Sequence, residues 1–134
     1  MMHEMDQGLI TLLYSGILAF LLIILSLRVS LDRGRAKVDI GTQGADERFL
    51  RINRAHGNLT EYLAIALLLI YFVEVTGSGA MWVHGLGIAL VIARVAHAIG
   101  ISNKVPPLRL MGAVVNLTVI GVAAVLCLVR FFGS

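Results

Sequence analysis

The stretch Arg51-Ile-Asn-Arg54-Ala-His-Gly-Asn58-Leu-Thr-Glu61-Tyr62 places arginine, amide and carboxylate side chains directly before the apolar run 63–73. Ionisable groups at membrane depth are costly unless they are paired or hydrated, so they indicate a site by default. On a helix, with about 100° per residue, Arg54, Asn58 and Glu61 lie within about 60° of one another. The stretch therefore predicts a helix that carries one polar face into the edge of a membrane.

The composition predicts a membrane protein. Hydrophobic residues are 58% of the 134 residues, charged residues are 14%, and the mean hydropathy is +0.90. An average soluble domain has about 45–50% apolar and about 25% charged residues. The length fits one domain with about four spans of ~20 residues each. We therefore predict an all-α, integral membrane four-helix bundle.

The apolar runs and their breaks predict four helices within a single domain, residues 1–134. The predicted bounds are about 9–27, 47–75, 80–100 and 108–129, and turn residues at 76–79 and 102–107 separate the last three helices. Glu4 and Asp6 precede the first run and no Lys or Arg does, which favours an uncleaved membrane helix over a cleaved signal peptide. The polar connection 28–48 is predicted to be one long loop.

Positive charge predicts the orientation. The basic residues of the first and third connections and their borders are Arg28, Arg33, Arg35, Lys37, Arg48, Arg51, Arg54, Lys104 and Arg109. Only Arg130 lies at the other side, and Arg94 lies within the third helix. The positive-inside rule then places both connections in the cytoplasm and both termini on the non-cytoplasmic side. These residues lie beside apolar spans and form no aromatic-interleaved patch, so no nucleic acid partner is expected.

A second polar pair lies on the third helix. Arg94 lies six residues before Gly100, and His97 lies one turn nearer the cytoplasmic end. Glu61 enters from the same side to a comparable depth, which predicts an ion pair between Arg94 and Glu61. Such a pair can serve helix packing alone, but the cations outnumber the carboxylates at this end. The surplus favours a small anionic ligand that carries its own amine.

Several other residues are given structural roles. Glu74 and His84 flank the outer turn and are expected to be solvated or, as an alternative, to form a weak pair with each other. Asn116 is expected to form a hydrogen bond between helices. Small residues every fourth position on the third helix are expected to allow close helix packing; they are Gly85, Ala89 and Ala93. The lone Cys127 excludes an internal disulfide, and no set of residues has metal-ligand spacing, so no metal is expected.

At these motifs the chain resembles the MAPEG superfamily, the small four-helix membrane proteins of eicosanoid and glutathione metabolism. Its members include microsomal glutathione transferases, leukotriene and prostaglandin E synthases, and short bacterial proteins. The stretch from Arg54 to Tyr62 is similar to the family's second-helix signature, and Arg94-Val-Ala-His97 is similar to its third-helix motif. Length, helix number and the long first connection also fit.

The resemblance implies a homotrimer with glutathione held between neighbouring protomers near the cytoplasmic face. The residues it implies for glutathione binding are Arg28, Arg51, Arg54, Asn58, Glu61, Tyr62, Arg94 and His97. Arg109 would be the catalytic residue that stabilises the glutathione thiolate, since a nearby positive charge lowers the pKa of a thiol. The reaction would be attack on a lipophilic electrophile or reduction of a lipid hydroperoxide, in the inner membrane of a bacterial cell.

Two departures and two alternative functions accompany this hypothesis. Ile101 occupies the place where several catalytic members carry a tyrosine. The connection before Arg109 contains Pro106-Pro107 and is shorter than in those members. A non-catalytic scaffold of the same fold that binds lipid or glutathione is the first alternative. A small proton-coupled transporter is the second. It is disfavoured because the first helix has no charge and Glu61 lies beside arginines.

Overall fold

The computed structural model describes residues 9–134, and the regular structure in that range is helical. Its four helices are α1 (Leu9–Ala36), α2 (Glu47–Val75), α3 (Ala80–Ser102) and α4 (Pro106–Phe132). Each is long and apolar enough to cross a membrane, with mean hydropathies of 1.6 to 2.5 in its most apolar segment. The all-α, four-span architecture predicted from composition is therefore confirmed. Glu4 and Asp6, used to distinguish an anchor from a signal peptide, lie outside the described residues.

The end of α1 differs from the prediction. The helix was expected to end at Leu27 and instead continues to Ala36. The continuation is polar on one side, but its other side buries Val29 and Asp32. Val29 packs in a small apolar cluster with Val38, Phe49 and Ile52. The apolar run thus marked only the membrane-crossing part of a longer helix, and the true loop is confined to residues 37–46.

A polar cap begins α2, and a glycine-containing turn follows its end. Asp46 is the N-cap, and its side chain accepts a hydrogen bond of 2.9 Å from the backbone N–H of Phe49. This bond satisfies one of the free N–H groups that every helix start leaves. At the other end the chain turns into α3 through Gly77 and Gly79, whose positive φ values of 73° and 101° suit glycine.

Successive helices run antiparallel, so the bundle has two distinct ends. We call the end that joins α1 to α2 and α3 to α4 the basic end, and the end of the α2–α3 turn the hairpin end. Both α2 and α3 contact three helices each, whereas α1 and α4 do not pack on one another within residues 9–134. The shared core consists of aliphatic side chains such as Leu18, Leu59, Ile70 and Leu90, each 0–1% exposed.

Two glycines bring α3 and α4 together at the basic end. A Cβ built on Gly100 would lie 2.4 Å from the backbone nitrogen of Arg109, and one on Gly112 would lie 2.6 Å from the carbonyl oxygen of Ala93. The expectation for Gly85 was wrong, because nothing lies within 4 Å of the corresponding position there. Of the three small residues named for close packing, Ala93 alone lies at the tight contact.

The hairpin end is tied by two polar contacts that the sequence did not suggest. The carboxylate of Glu74 accepts hydrogen bonds of 2.8 Å from the backbone N–H groups of Ile10 and Thr11, and so caps the start of α1. His84 Nδ1 lies 2.8 Å from the hydroxyl of the buried Tyr14. The prediction that Glu74 is merely solvated was therefore wrong, whereas His84 is exposed as expected and also bonds Tyr14.

Candidate functional site

Arg54 and Glu61 form an ion pair on one face of α2. Arg54 Nη1 donates to Glu61 Oε1 at 2.7 Å, and the two side chains remain 55% and 49% exposed. The seven-residue spacing corresponds to two helical turns, which puts both groups on the same face. The shared face predicted for Arg54 and Glu61 is therefore present, and both charges are accessible from outside the bundle.

Arg94 has a different partner from the one predicted. Its Nη2 donates to Asn58 Oδ1 at 2.6 Å, whereas the carboxylate of Glu61 is taken by Arg54. The predicted ion pair between Arg94 and Glu61 was wrong because depth along the helix axis does not specify which side of α2 faces α3. Asn58 is half-buried and lies on that side, so the amide receives the guanidinium.

Three buried polar side chains of α3 and α4 each have an atom without a hydrogen-bond partner among the described residues. Arg94, His97 and Asn116 are 2–4% exposed. Within residues 9–134, no hydrogen-bond partner is present for Arg94 Nε, His97 Nε2 or Asn116 Oδ1. Asn116 thus lacks, at its oxygen, the bond between helices that we expected. Buried polar atoms of this kind are uncommon and are often found at functional sites.

His97 connects α3 to the start of α4. Its Nδ1 lies 3.0 Å from the carbonyl oxygen of Arg109. A carbonyl oxygen can only accept, so Nδ1 carries the proton and the neutral ring leaves a lone pair on Nε2. Together with the close approach at Gly100, this bond fixes the backbone from which the Arg109 side chain extends.

A cavity of about 250 Å³ at the basic end collects the arginines of α2 and α4. Its lining residues are Glu47, Leu50, Arg51, Arg54, Ile101 and Arg109. We call it the arginine cavity. It brings together Arg51, Arg54 and Arg109, which are up to 58 positions apart in the sequence. The cavity therefore contains three guanidinium groups on its walls.

Glu47 is a member of the arginine cavity that the sequence analysis did not name. Its Oε1 accepts from Arg51 Nη2 at 2.8 Å and lies 3.0 Å from Lys104 Nζ. Arg51 also donates to the carbonyl oxygen of Ile101 at 3.4 Å. The spacing of Glu47 and Arg51, four residues apart on a helix, was the available signal.

Two of the residues predicted to bind glutathione, Arg28 and Tyr62, do not line the arginine cavity of one chain. Arg28 lines a separate cavity between α1 and α2, and its Nη1 lies 3.5 Å from Ser102 Oγ. Tyr62 is half-buried and follows Glu61 on α2. It makes no hydrogen bond with any residue from 9 to 134. The other six predicted binding residues lie in or beside the arginine cavity. Arg51 and Arg54 line it, and Glu61 pairs with Arg54. Asn58 and Arg94 pair with each other, and His97 contacts the backbone of Arg109.

The arrangement suits an anion that also carries groups able to form hydrogen bonds. Guanidinium groups bind carboxylates with paired hydrogen bonds, and Arg109 has no carboxylate within 4 Å among the described residues. Glu61 is half-exposed and offers an acceptor to an amine. The site has more cation than its carboxylates neutralise, as the sequence suggested.

Fold and site together define a small multi-pass membrane protein with an arginine-rich polar site at one end of its helices. The model of the MAPEG family matches residues 11–129, and the chain belongs to that family. The chain is 34% identical over 96 residues to the inner membrane protein YecN of Escherichia coli K12, which covers 72% of each chain. YecN of Escherichia coli O6:H1 matches to the same extent. The resemblance inferred from the two motifs is therefore confirmed, and the protein is a multi-pass protein of the bacterial inner membrane.

Proposed function

We propose that the protein binds glutathione at the arginine cavity and activates its thiol for attack on lipophilic electrophiles or lipid hydroperoxides. The observation that carries the proposal is the convergence of Arg51, Arg54 and Arg109 on one cavity at the basic end. Membership in the MAPEG family supports glutathione as the ligand. Glutathione supplies two carboxylates, an amine and two peptide groups, which match guanidinium, carboxylate and amide side chains.

The roles of individual residues follow from their contacts. Arg51 and Arg54 would bind the glutathione carboxylates, and Glu61 would accept from the amine. Asn58 can bond a peptide group with its amide nitrogen, since its oxygen already accepts from Arg94. Tyr62 would contribute from the border of the site, whereas Arg28 lines a separate cavity and is left out of it. Arg109 would stabilise the thiolate, because a positive charge beside a thiol raises the ionised fraction at neutral pH.

The conjugation needs the glutathione thiolate and a lipophilic electrophile that carries a leaving group, and the peroxidase variant also needs a second glutathione. The thiolate would form a C–S bond to the electrophilic carbon while the leaving group departs with its electron pair. Lipophilic small molecules can reach the site from the bilayer. In the peroxidase variant the thiolate attacks a hydroperoxide oxygen, the alcohol leaves, and a second glutathione completes the disulfide with release of water.

A homotrimer would complete the site. The arginine cavity has a volume of about 250 Å³ in one chain, somewhat below the ~300–1,000 Å³ of ligand pockets. α1 and α4 each expose a long apolar face and do not pack on one another within residues 9–134. A ring of three protomers would cover the exposed apolar face of α4 and add a second wall to the cavity. The nine basic residues at this end support its location in the cytoplasm.

Calorimetric titration of the detergent-solubilised protein with glutathione tests binding. Arg54→Ala and Glu61→Gln should each weaken binding by about tenfold or more, because each removes a charge-assisted hydrogen bond. Arg130→Ala is the matched control, since Arg130 lies at the hairpin end, where it bonds the carbonyl oxygen of Gly77. Absence of glutathione binding by the wild-type protein would refute the proposal.

Turnover is tested separately with a panel of hydrophobic electrophiles and a lipid hydroperoxide. Arg109→Ala should lower the rate far more than it lowers glutathione affinity, because thiolate stabilisation matters most in the reacting complex. Equal losses of rate and affinity would show that Arg109 acts in binding alone. No conjugation or peroxide reduction over the whole panel would refute the enzymatic part.

A non-catalytic scaffold is the second candidate, and one observation favours it. Ile101 lines the arginine cavity, so this position supplies no tyrosine hydroxyl as a donor. A scaffold would bind glutathione or lipid without turnover, and the two experiments above separate it from an enzyme. A proton-coupled transporter is not supported, since Glu61 is paired with Arg54.

A further inference from the structure

A second basic cavity lies on the other side of α2 from the arginine cavity. It has a volume of about 220 Å³, lies between the end of α1 and the start of α2, and is separate from the site proposed for glutathione. Its lining residues are Arg28, Leu31, Asp32, Arg35, Arg48 and Ile52. Three of these six side chains are arginines, so the cavity attracts an anion.

A buried carboxylate orients two of the three arginines. Asp32 is 4% exposed and accepts two hydrogen bonds from Arg35, of 2.7 and 2.9 Å. Arg48 Nε lies 3.1 Å from the same carboxylate, while its side chain remains 67% exposed. Arg35 is also paired with Asp46 at 2.8 Å. Asp32 therefore holds the Arg48 guanidinium at the cavity, while most of the Arg48 side chain stays exposed.

The third arginine has no carboxylate partner. Arg28 makes only the 3.5 Å contact with Ser102 Oγ, and no acidic oxygen lies within 4 Å of it among the described residues. Two carboxylates, Asp32 and Asp46, thus face three guanidinium groups, and one positive charge is left without a counterion. A phosphate group would supply that counterion with bidentate hydrogen bonds.

An apolar strip leads from this cavity into the membrane-crossing part of α1. Leu31 is 76% exposed, and the strip continues through exposed Leu27, Ile24 and Phe20. Their spacing of three or four residues places them on one face of the helix, the same face as Arg28 and Arg35. From Phe20 to Leu31 the helix rises by about 17 Å at ~1.5 Å per residue, about half of a bilayer core of ~30 Å.

We propose that this cavity is a binding site for one anionic phospholipid, with the phosphate at Arg28 and Arg48 and an acyl chain along Leu27, Ile24 and Phe20. A free phosphate would use the arginines but not the strip. A zwitterionic lipid would use the strip but would not balance the surplus charge. Basic pockets between membrane helices are a recurrent site for anionic headgroups.

Native mass spectrometry of the intact protein in neutral detergent tests the proposal. The probes are dioctanoyl phosphatidylglycerol, dioctanoyl phosphatidylcholine and inorganic phosphate. The wild-type protein should retain phosphatidylglycerol in preference to phosphatidylcholine, and inorganic phosphate at equal concentration should not displace it. The double variant Arg28→Gln/Arg48→Gln should bind phosphatidylglycerol about tenfold more weakly or less. Ile24→Ser should weaken it as well.

Lys104→Gln is the matched control, because it removes one positive charge from the same end of the bundle and Lys104 does not line this cavity. This variant should change the retention of phosphatidylglycerol by less than about twofold. Arg28→Gln alone serves as a second variant, because the exposed Arg28 makes no ion pair among the described residues. Equal retention of both lipids, undiminished retention by the double variant, or displacement by inorganic phosphate would each overturn the proposal. None of these outcomes depends on glutathione.

Discussion

Replacing Gly100 with alanine is expected to disturb the packing of α4 on α3 and the position of Arg109. The added Cβ would lie 2.4 Å from the backbone nitrogen and 2.7 Å from the Cα of Arg109, whereas ordinary contacts begin near 3.4 Å. The start of α4 must therefore move by about 1 Å, because the obstructing atoms are backbone. Overpacking of this kind costs about 1–3 kcal/mol. Alanine regains about 0.5–1 kcal/mol of helix preference, so a net loss of up to about 2.5 kcal/mol is expected.

Thermal unfolding in a fixed detergent, followed by helical circular dichroism, measures this loss. The midpoint should fall by a few degrees. Gly85→Ala is the matched control on the same helix, because nothing lies within 4 Å of a Cβ there, and it should leave the midpoint unchanged or raise it. If Gly100→Ala is as stable as Gly85→Ala, the close approach of α3 and α4 at this point is wrong.

Three further predictions use the same unfolding assay. Glu74→Ala should destabilise the protein by about 1–2 kcal/mol, because it removes the cap on the first N–H groups of α1; an unchanged midpoint would argue against the cap. Asn58→Leu should cost about 1–3 kcal/mol, because it leaves the buried Arg94 guanidinium without its partner, and the double variant with Arg94→Met should recover part of that loss. Hydrogen bonds from Arg35 and from a backbone N–H lower the pKa of Asp46 to about 2, from 3.8. The stability due to this carboxylate is therefore complete above about pH 4 and lost as the pH falls through about 2, so Asp46→Asn should flatten the stability profile in that window.

The sequence identified the polar stretch of α2 correctly because helical periodicity alone determines which residues share a face. Arg54 and Glu61 lie together as predicted. The partner of Arg94 could not be obtained in the same way. Whether Asn58 or Glu61 meets α3 depends on how α2 is rotated about its axis, and that rotation is set by packing of the whole bundle.

The residues that the sequence assigned incorrectly or incompletely are those whose partners are distant in the chain. Glu74 caps a helix that begins 65 positions earlier, at Leu9, and Tyr14 bonds His84 across 70 positions. No local pattern encodes such pairings. The end of α1 was placed too early for a related reason, since hydropathy reports the membrane thickness, and the polar continuation is stabilised by Phe49 and Ile52 of another helix.

The bond between Arg94 and Asn58 has a consequence for how the chain enters the membrane. Arg94 lies eight residues before the end of α3, about 12 Å along the helix. Insertion of a segment with an arginine near its centre costs about 2.5–3.5 kcal/mol. During synthesis α2 emerges first and already carries the amide that receives this guanidinium. We therefore expect α3 to insert most favourably while α2 is still beside it, so that Asn58 couples the insertion of the two segments.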